Sequence, residues 1–398
     1  MSKKSEADSL FKNFVEGRLA RRDFILQALA LGASVTALGA VLEACTGTPA
    51  EAPKASPPPD KGPLTGGAAP TPAAPAEPDL GPMETELNIY NWSDYIAEDT
   101  VANFTKETGI KVKYDTYESN EELLAKLQVG TSGYDIVVPT GYIVTVLAAQ
   151  NLLEPLVKKY LTNWKNIAPL FANPTFDPDC AHSVPWQWGT TGIAYRSDKV
   201  NPPPDGWSIF QDPKYKHKMT QLDDERDVIG AWLKFRGKSL SSTDTADLAG
   251  AKADAILAKA NLKAYISAEV KGQVVTGDVW VAQLWNGDTA QAAKEQPKIA
   301  YCLPKEGAAL WTDSLVIPKG APHKRAAHAF MDYILRPEVA ASISDTTGYG
   351  TPNLPASSKL AVPLPYPTDD ELKRLEVQKD LGKAAELWDT LWTEIKAS

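Results

Sequence analysis

Residues 90–96 read Tyr90-Asn91-Trp92-Ser93-Asp94-Tyr95-Ile96, and they follow a short apolar segment at 87–89. In an open α/β sheet, ligands bind beyond the carboxyl ends of the strands. The stretch therefore predicts a carboxylate and aromatic rings at a binding crevice, where a cation with an apolar body would fit. The alternative is that Trp92 and Tyr95 are core aromatics and that Asp94 caps the next helix.

The chain between residues 99 and 142 alternates between helical and strand patterns. The spacing of apolar residues, capping boxes and glycines predicts helices over 99–109 and 119–130 and strands over 110–115 and 134–138. A strand-helix-strand-helix-strand order requires a right-handed parallel arrangement. The ends of the first and third strands, the latter followed by Thr140 and Tyr142, should then share one edge of the sheet.

The second half predicts a further α/β region. An extended stretch over 183–195 is expected to cross into a second lobe, and residues 311–318 are expected to cross back. Strands are predicted near 219–222, 263–266 and 279–284. The last helix carries Leu387, Trp388, Leu391 and Trp392 at helical spacing, which predicts core packing.

The N-terminal segment has the features of an export signal. Arg21 and Arg22 precede an uncharged run from Phe24 to Leu42, as in twin-arginine signals, and Cys45 follows as in lipoprotein cleavage sites. A transmembrane anchor is the alternative, although the run is weakly hydrophobic. Residues 46–83 are rich in Pro, Ala and Gly and predict a disordered tether.

Composition argues against several function classes. The net charge is −9 and no basic stripe occurs, which disfavours nucleic acid. The four histidines lack zinc-ligand spacing, so no metal or cofactor is expected, and neither a phosphate loop nor a nucleophile elbow is present.

A glycoside hydrolase that uses Asp224 and Asp227 stays open, as does calcium binding by residues 223–227. Cys180 and Cys302 could pair, but two buried free thiols are the more common state.

An aromatic residue beside a carboxylate recurs at predicted strand ends. The pairs are Trp92 with Asp94, Trp285 with Asp288 and Trp311 with Asp313. Carboxylates accept charge-assisted hydrogen bonds from ammonium groups, and aromatic faces cover methylenes and attract cations. Each pair alone is better explained as a core indole near a solvated acid. Their number and placement favour a site for a polycation.

The region from residue 84 to the C-terminus resembles the spermidine/putrescine-binding proteins of ABC-type uptake systems. The resemblance is carried by residues 91–95, 107–112, 134–139, 285–287, 304–307, 335–337 and 348–353. It implies a two-lobe periplasmic-binding-protein-like α/β fold of type II, in which each lobe is a mixed sheet flanked by helices and the ligand cleft lies between the lobes. Lobe 1 would comprise 84–189 and 312–355, and lobe 2 would comprise 190–311 and 356–398.

The same resemblance implies a receptor and not an enzyme, which delivers a polyamine to an ABC permease, and we expect it to be a monomer. The twin-arginine signal and a lipid on Cys45 would place it outside the cytoplasm, in the periplasm or at the cell surface, and anchor it to the membrane. The implied ligand contacts are Trp92, Ser93, Asp94, Tyr95, Thr140, Tyr142, Asp224, Asp227, Ser267, Trp285, Asp288, Trp311, Asp313, Tyr349 and Gln378. Asp227 stands where the family generally has Glu. Asp288 resembles putrescine-preferring members and Asp224 spermidine-preferring ones, so the preferred polyamine is left open. A sugar or an amino acid is the alternative ligand.

Overall fold

The computed structural model describes residues 78–130, 132–361 and 367–398. The predicted signal segment, Cys45 and most of the predicted tether lie outside these residues. The strands are β1 (Glu86–Trp92), β2 (Lys111–Tyr117), β3 (Ile136–Val137), β4 (Ser183–Arg196), β5 (Met219–Gln221), β6 (Leu262–Tyr265), β7 (Val281–Trp285), β8 (Ile299–Cys302), β9 (Ala309–Val316) and β10 (Glu376–Val377).

The α-helices are α1 (Thr100–Thr108), α2 (Asn120–Gln128), α3 (Gly141–Ala149), α4 (Glu225–Phe235), α5 (Thr245–Lys259), α6 (Val270–Thr276), α7 (Asn286–Glu295), α8 (Lys324–Ile334), α9 (Pro337–Thr347), α10 (Leu354–Ser357), α11 (Asp369–Leu372) and α12 (Ala385–Ala397). Short 3-10 helices occupy Lys158–Tyr160, Thr162–Asn166, Pro178–Cys180, Trp207–Gln211, Pro213–Tyr215 and Gly382–Ala384.

Local sequence signals explain where the first helices begin and end. Helix α1 ends at Gly109, whose φ of 76° is left-handed and suits glycine. At the start of α2, Ser119 accepts a hydrogen bond from the Glu122 amide at 3.1 Å, but the Glu122 carboxylate accepts from the Glu118 amide instead of closing the predicted box. Each helix therefore begins within a residue or two of its predicted position.

Strand β3 is shorter than the predicted 134–138. Its ladder with β1 covers only Ile136 and Val137. The Val138 carbonyl instead accepts side-chain hydrogen bonds from Trp92 Nε1 at 2.8 Å and from the Tyr117 hydroxyl at 2.5 Å. These two side-chain hydrogen bonds take the place of the next ladder bond at the Val138 carbonyl. They also anchor Trp92 at the edge of the sheet.

The strands form one connected mixed sheet in the order β2-β1-β3-β9-β4-β7-β5-β6, with β10 beside β9 and β8 beside β4. Strand β1 is parallel to both β2 and β3, as the sequence predicts. The carboxyl ends of β1 and β3 consequently lie on one edge. Strands β5, β6 and β7 are also mutually parallel.

The long strands β4 and β9 run antiparallel to each other at the centre of the sheet. Beyond them, β9 pairs with β3, and β4 pairs with β7. Separate apolar cores pack around β1 and β3 on one side and around β5 and β7 on the other. The contacts of Ala76–Ser398 nevertheless form a single compact unit, and the lobe boundaries expected from the sequence stay a prediction.

Helix α12 packs as predicted for most of its apolar residues. Trp388 is fully buried, and Leu391 and Trp392 are each 8% exposed. Leu387 was expected in the core but is 37% exposed, because it lies at the edge of the buried stripe that continues to Ile395.

In the described part of the chain, no helix combines the length and apolar character needed to span a bilayer.

Candidate ligand-binding site

A cavity that is partly open to solvent lies where the carboxyl ends of β1 and β2 meet those of β6 and β7, which run in the opposite direction. Its empty space, counted together with the adjoining solvent, is about 750 Å³. The loops after β1, β2 and β6 contribute to it, together with the first turns of α4 and α7 and the central strand β9. Its lining consists of Trp92, Ser93, Asp94, Tyr95, Glu118, Asn120, Thr140, Asp224, Asp227, Ser267, Ala268, Lys271, Trp285, Asp288, Trp311, Asp313, Tyr349 and Gln378.

Asp313 projects from β9 and is only 5% exposed. One carboxylate oxygen accepts from the Thr140 hydroxyl at 2.7 Å, and the other accepts from the Tyr95 hydroxyl at 2.8 Å. Asn120 holds Thr140 in turn, through its side-chain amide to the hydroxyl at 3.0 Å. Burial raises the pKa of Asp313 to about 7, and the two hydroxyl donors offset part of this rise.

Asp227 lies in the first turn of α4, and Asp224 caps that helix by accepting from the Asp227 amide at 2.9 Å. The Asp227 carboxylate accepts from Trp285 Nε1 at 3.1 Å, Thr191 Oγ1 at 3.1 Å and Gln378 Nε2 at 3.2 Å. Burial, followed by the nearby Asp224 charge, raises the pKa of Asp227 to about 8. Burial also raises the pKa of Asp224.

Asp94 and Asp288 lie near Lys271, a residue of α6. Asp94 has a φ of 51°, a left-handed conformation that Asp tolerates better than most residues do. Lys271 Nζ donates to Asp94 Oδ2 at 2.6 Å. Asp288 accepts from the Tyr349 hydroxyl at 2.8 Å, and burial raises its pKa to about 6 although the Lys271 charge opposes the rise.

Aromatic rings wall the cavity. Trp92 and Trp285 meet edge to face with ring centroids 6.4 Å apart. Tyr349 makes similar contacts with Tyr95 at 5.1 Å and with Trp311 at 5.3 Å. The site thus combines apolar faces with carboxylates, the combination that binds alkyl ammonium groups.

The structure brings fourteen of the fifteen sequence-predicted residues to this cavity, and Tyr142 is the exception. The Tyr142 hydroxyl donates to Glu121 at 3.2 Å, and the Arg226 guanidinium lies 4.3 Å from the centre of its ring. Gln378 directly follows β10, whose residues 376–377 pair with β9.

The sequence did not single out four of the lining residues: Glu118, Asn120, Ala268 and Lys271. Glu118 and Asn120 follow β2, so the strand-end rule that selected Trp92 would have found them too. Ala268 and Lys271 follow β6, but nothing local indicates that the Lys271 side chain turns toward Asp94.

Within residues 78–130, 132–361 and 367–398, no cluster of three or more His, Cys, Asp or Glu side chains is arranged to hold a metal ion. The calcium site considered for residues 223–227 therefore gains no support. Cys180 and Cys302 are both free thiols, the former buried and the latter half-buried.

The comparisons with known proteins agree with this architecture. The family model for bacterial extracellular solute-binding proteins matches residues 99–371. The spermidine/putrescine-binding periplasmic protein of Escherichia coli is 35% identical over 318 residues, covering 78% of this chain and 91% of that protein. The putrescine-binding periplasmic protein PotF of the same organism is 37% identical over 339 residues, with 78% and 91% covered.

Among solved structures, the TpPotD lipoprotein of Treponema pallidum matches with a TM-score of 0.71 at 30% identity, over 78% of this chain and 99% of that one. The predicted periplasmic-binding-protein-like fold is confirmed by this likeness. With a family model that matches most of the chain and relatives above 30% identity, the chain belongs to the family of bacterial extracellular solute-binding proteins.

Proposed function

We propose that this protein captures a polyamine, spermidine or putrescine, outside the cytoplasm and delivers it to the permease of an ABC transporter. The observation that carries the proposal is the charge of the cavity, whose described lining holds six carboxylates and a single ammonium group. Two of these carboxylates, Asp227 and Asp313, are buried, and buried charges require partners. The names of the Escherichia coli relatives point to the same ligands.

The three parts of the site suit the parts of a polyamine. Asp94 would accept one terminal ammonium, Asp313 an inner amine, and Asp224 with Asp227 the opposite end. Trp285 would cover the methylenes between them. Since Asp227 is shorter than the Glu usual in the family, its ammonium must sit closer or be bridged by water.

A neutral sugar fits this cavity less well. Sugar hydroxyls are commonly bound by side-chain amides beside aromatic rings, and the amides in the described lining are Asn120 and Gln378. Both are engaged, Asn120 with Thr140 and Gln378 with Asp227. The relatives named above are binding proteins, so a glycoside hydrolase that uses Asp224 and Asp227 has no support from them.

We also place the protein at the cell surface or in the periplasm, exported through the twin-arginine sequence at residues 21–22, anchored by a lipid on Cys45 and monomeric. The name of the Treponema pallidum relative, a lipoprotein, supports the anchor. The residues involved lie outside the described part of the chain.

Thermal unfolding of the full chain, titrated with putrescine, spermidine, spermine and a neutral disaccharide, tests the proposal. A ligand that binds only the folded protein raises Tm in proportion to the logarithm of its concentration. We expect a rise with at least one polyamine and none with the sugar. A rise with the sugar alone, or no response to any polyamine, would overturn the assignment.

A further inference from the structure

Tyr142 has a place in the structure that its expected role as a ligand contact does not explain. The side chain is 5% exposed and packs in the apolar core around β1 and β3, outside the cavity lining. The guanidinium carbon of Arg226 lies 4.3 Å from the centre of its ring. Arg226 belongs to α4, which packs on the core around β5 and β7. The contact therefore joins the half of the molecule built around β1 and β3 to the half built around β5 and β7.

Arg226 is held in place by its own half of the molecule. It is 4% exposed, its Nη2 donates to the Lys379 carbonyl at 2.6 Å, and its guanidinium carbon lies 5.2 Å from the centre of the Trp388 ring. Trp388 belongs to the core on which α4 packs, and the Lys379 amide donates to Ser241 Oγ, shortly after α4, at 3.1 Å. If the two halves moved apart, these contacts would persist and the stack on Tyr142 would break.

The ligand cavity lies between the same two halves. Trp92 ends β1 and Trp285 ends β7, and their rings, which both line the cavity, meet with centroids 6.4 Å apart. A ligand held by side chains from both halves favours the arrangement in which the halves meet. Every other contact made only in that arrangement adds to the affinity without touching the ligand. A cation on an aromatic face is such a contact, and it is strongest where both groups are buried.

We propose that the stack of Arg226 on Tyr142 is a latch that holds the two halves together around the ligand. Tyr142 then contributes to binding through Arg226, and Arg226 is a positioning residue. Because neither side chain lines the cavity, the latch raises the affinity for putrescine and for spermidine by the same factor. The inference rests on the proposed polyamine function and adds to it a contact that sets affinity but not selectivity.

Isothermal titration of the full chain with putrescine and with spermidine, at one pH and ionic strength, tests the latch. Tyr142→Leu keeps an apolar side chain but removes the aromatic face, and it should weaken binding of both polyamines about five- to thirtyfold. Tyr142→Phe removes only the hydroxyl group that donates to Glu121, and it should bind within about threefold of wild type. In an Arg226→Met background, Tyr142→Leu should cause no further loss, because the cation is already absent.

Tyr90→Leu is the matched control. Tyr90 is 3% exposed in the same apolar core as Tyr142, its hydroxyl donates to Glu122 at 2.7 Å, and Lys126 Nζ lies 4.7 Å from the centre of its ring. Glu122 and Lys126 both belong to α2, so this cation and ring lie in one half of the molecule. The control should lower the free energy of unfolding, as measured in urea, and leave both affinities within about threefold of wild type.

The outcomes separate the latch from the proposed function. The latch is refuted, and the function stands, if Tyr142→Leu binds like wild type or weakens one polyamine far more than the other, since Tyr142 would then be idle or a ligand contact. An equal loss in the Arg226→Met background, or in Tyr90→Leu, also refutes it. Tyr142→Met, which likewise lacks a ring, replaces Tyr142→Leu if that variant does not fold. If wild type binds no polyamine, the proposed function fails and the inference fails with it.

Discussion

Replacing Asp313 by Asn should change stability and affinity in opposite directions. Asn has nearly the same shape, its oxygen can accept from one of the two hydroxyls that hold Asp313, and its amide can donate to the other. The substitution therefore removes a buried negative charge without opening a cavity. In the ligand-free protein that buried charge lowers the free energy of unfolding, whereas in the complex it would pair with an ammonium group of the ligand.

The structure gives the size of each effect. Burial raises the pKa of Asp313 from 3.8 to about 7, so a fully ionised carboxylate costs the folded protein about 4 kcal/mol relative to the unfolded chain. At pH 8 the free energy of unfolding of the unliganded variant should rise by up to that amount, reduced by the weaker hydrogen bonds of Asn. Losing a charge-assisted hydrogen bond to the ligand costs about 1.5–3 kcal/mol, or roughly ten- to a hundredfold in affinity.

Two measurements on the full chain at pH 8 check this prediction: urea unfolding without ligand, and calorimetric titration with the tighter-binding polyamine. Asp278→Asn is the matched control, because Asp278 is 51% exposed and pairs with Lys263 away from the cavity. It should leave affinity unchanged. An Asp313→Asn variant that is less stable but binds normally would refute the argument, because Asp313 would then be structural and not part of the site.

Two further predictions concern pH and the core. Burial raises the pKa of Asp288, Asp313 and Asp227 from 3.8 to about 6, 7 and 8, so the folded protein holds these protons more tightly than the unfolded chain does. Their contribution to the free energy of unfolding is therefore fully present below pH 3.8 and is lost as the pH rises from there through each folded pKa, up to about 8. A bound ammonium favours ionised carboxylates, so polyamine affinity should increase over the same pH range and binding should release protons. Calorimetry in buffers of different ionisation enthalpy measures the number of protons released per ligand bound. A value of zero would contradict the prediction. Trp388→Ala should lower the free energy of unfolding by about 3–5 kcal/mol, because the side chain is fully buried; urea unfolding tests this, and a loss below about 1 kcal/mol would contradict it.

Strand ends were the features that sequence could identify. Trp92 and Trp285 end the apolar strands β1 and β7, and Asp288 follows β7. These two strands run in opposite directions in the sheet, so their carboxyl ends approach the cavity from its two halves. Asp313 lies within the central strand β9, whose pairing with β3 and β4 brings its carboxylate to Thr140 and Tyr95. These partners are distant in sequence, and the return crossing between lobes expected at residues 311–318 stays a prediction.

Side-chain direction was beyond the reach of the sequence. Tyr142 follows β3 as the rule requires, yet it lies in the first turn of α3, donates to Glu121, packs against Arg226 and does not line the cavity. Lys271 shows the converse, since a lysine in a short helix usually faces solvent but here contacts Asp94 and Gln291. Both outcomes are set by neighbours distant in sequence, which no local pattern encodes.

The hydrogen bonds of the site explain why its ligand should carry the positive charge. Asp313 is held by hydroxyls of Tyr95 and Thr140, and Asp227 by an indole, a hydroxyl and an amide. Uncharged donors orient a carboxylate and lessen its desolvation cost, but they carry no charge to balance it. The Arg226 charge acts on Asp227, yet burial still raises the pKa of that group. A cationic side chain beside Asp313 would stabilise the empty protein and would have to be displaced by every ligand. Asp94 differs, because Lys271 Nζ already donates to it at 2.6 Å, and a ligand ammonium at Asp94 would have to displace that lysine.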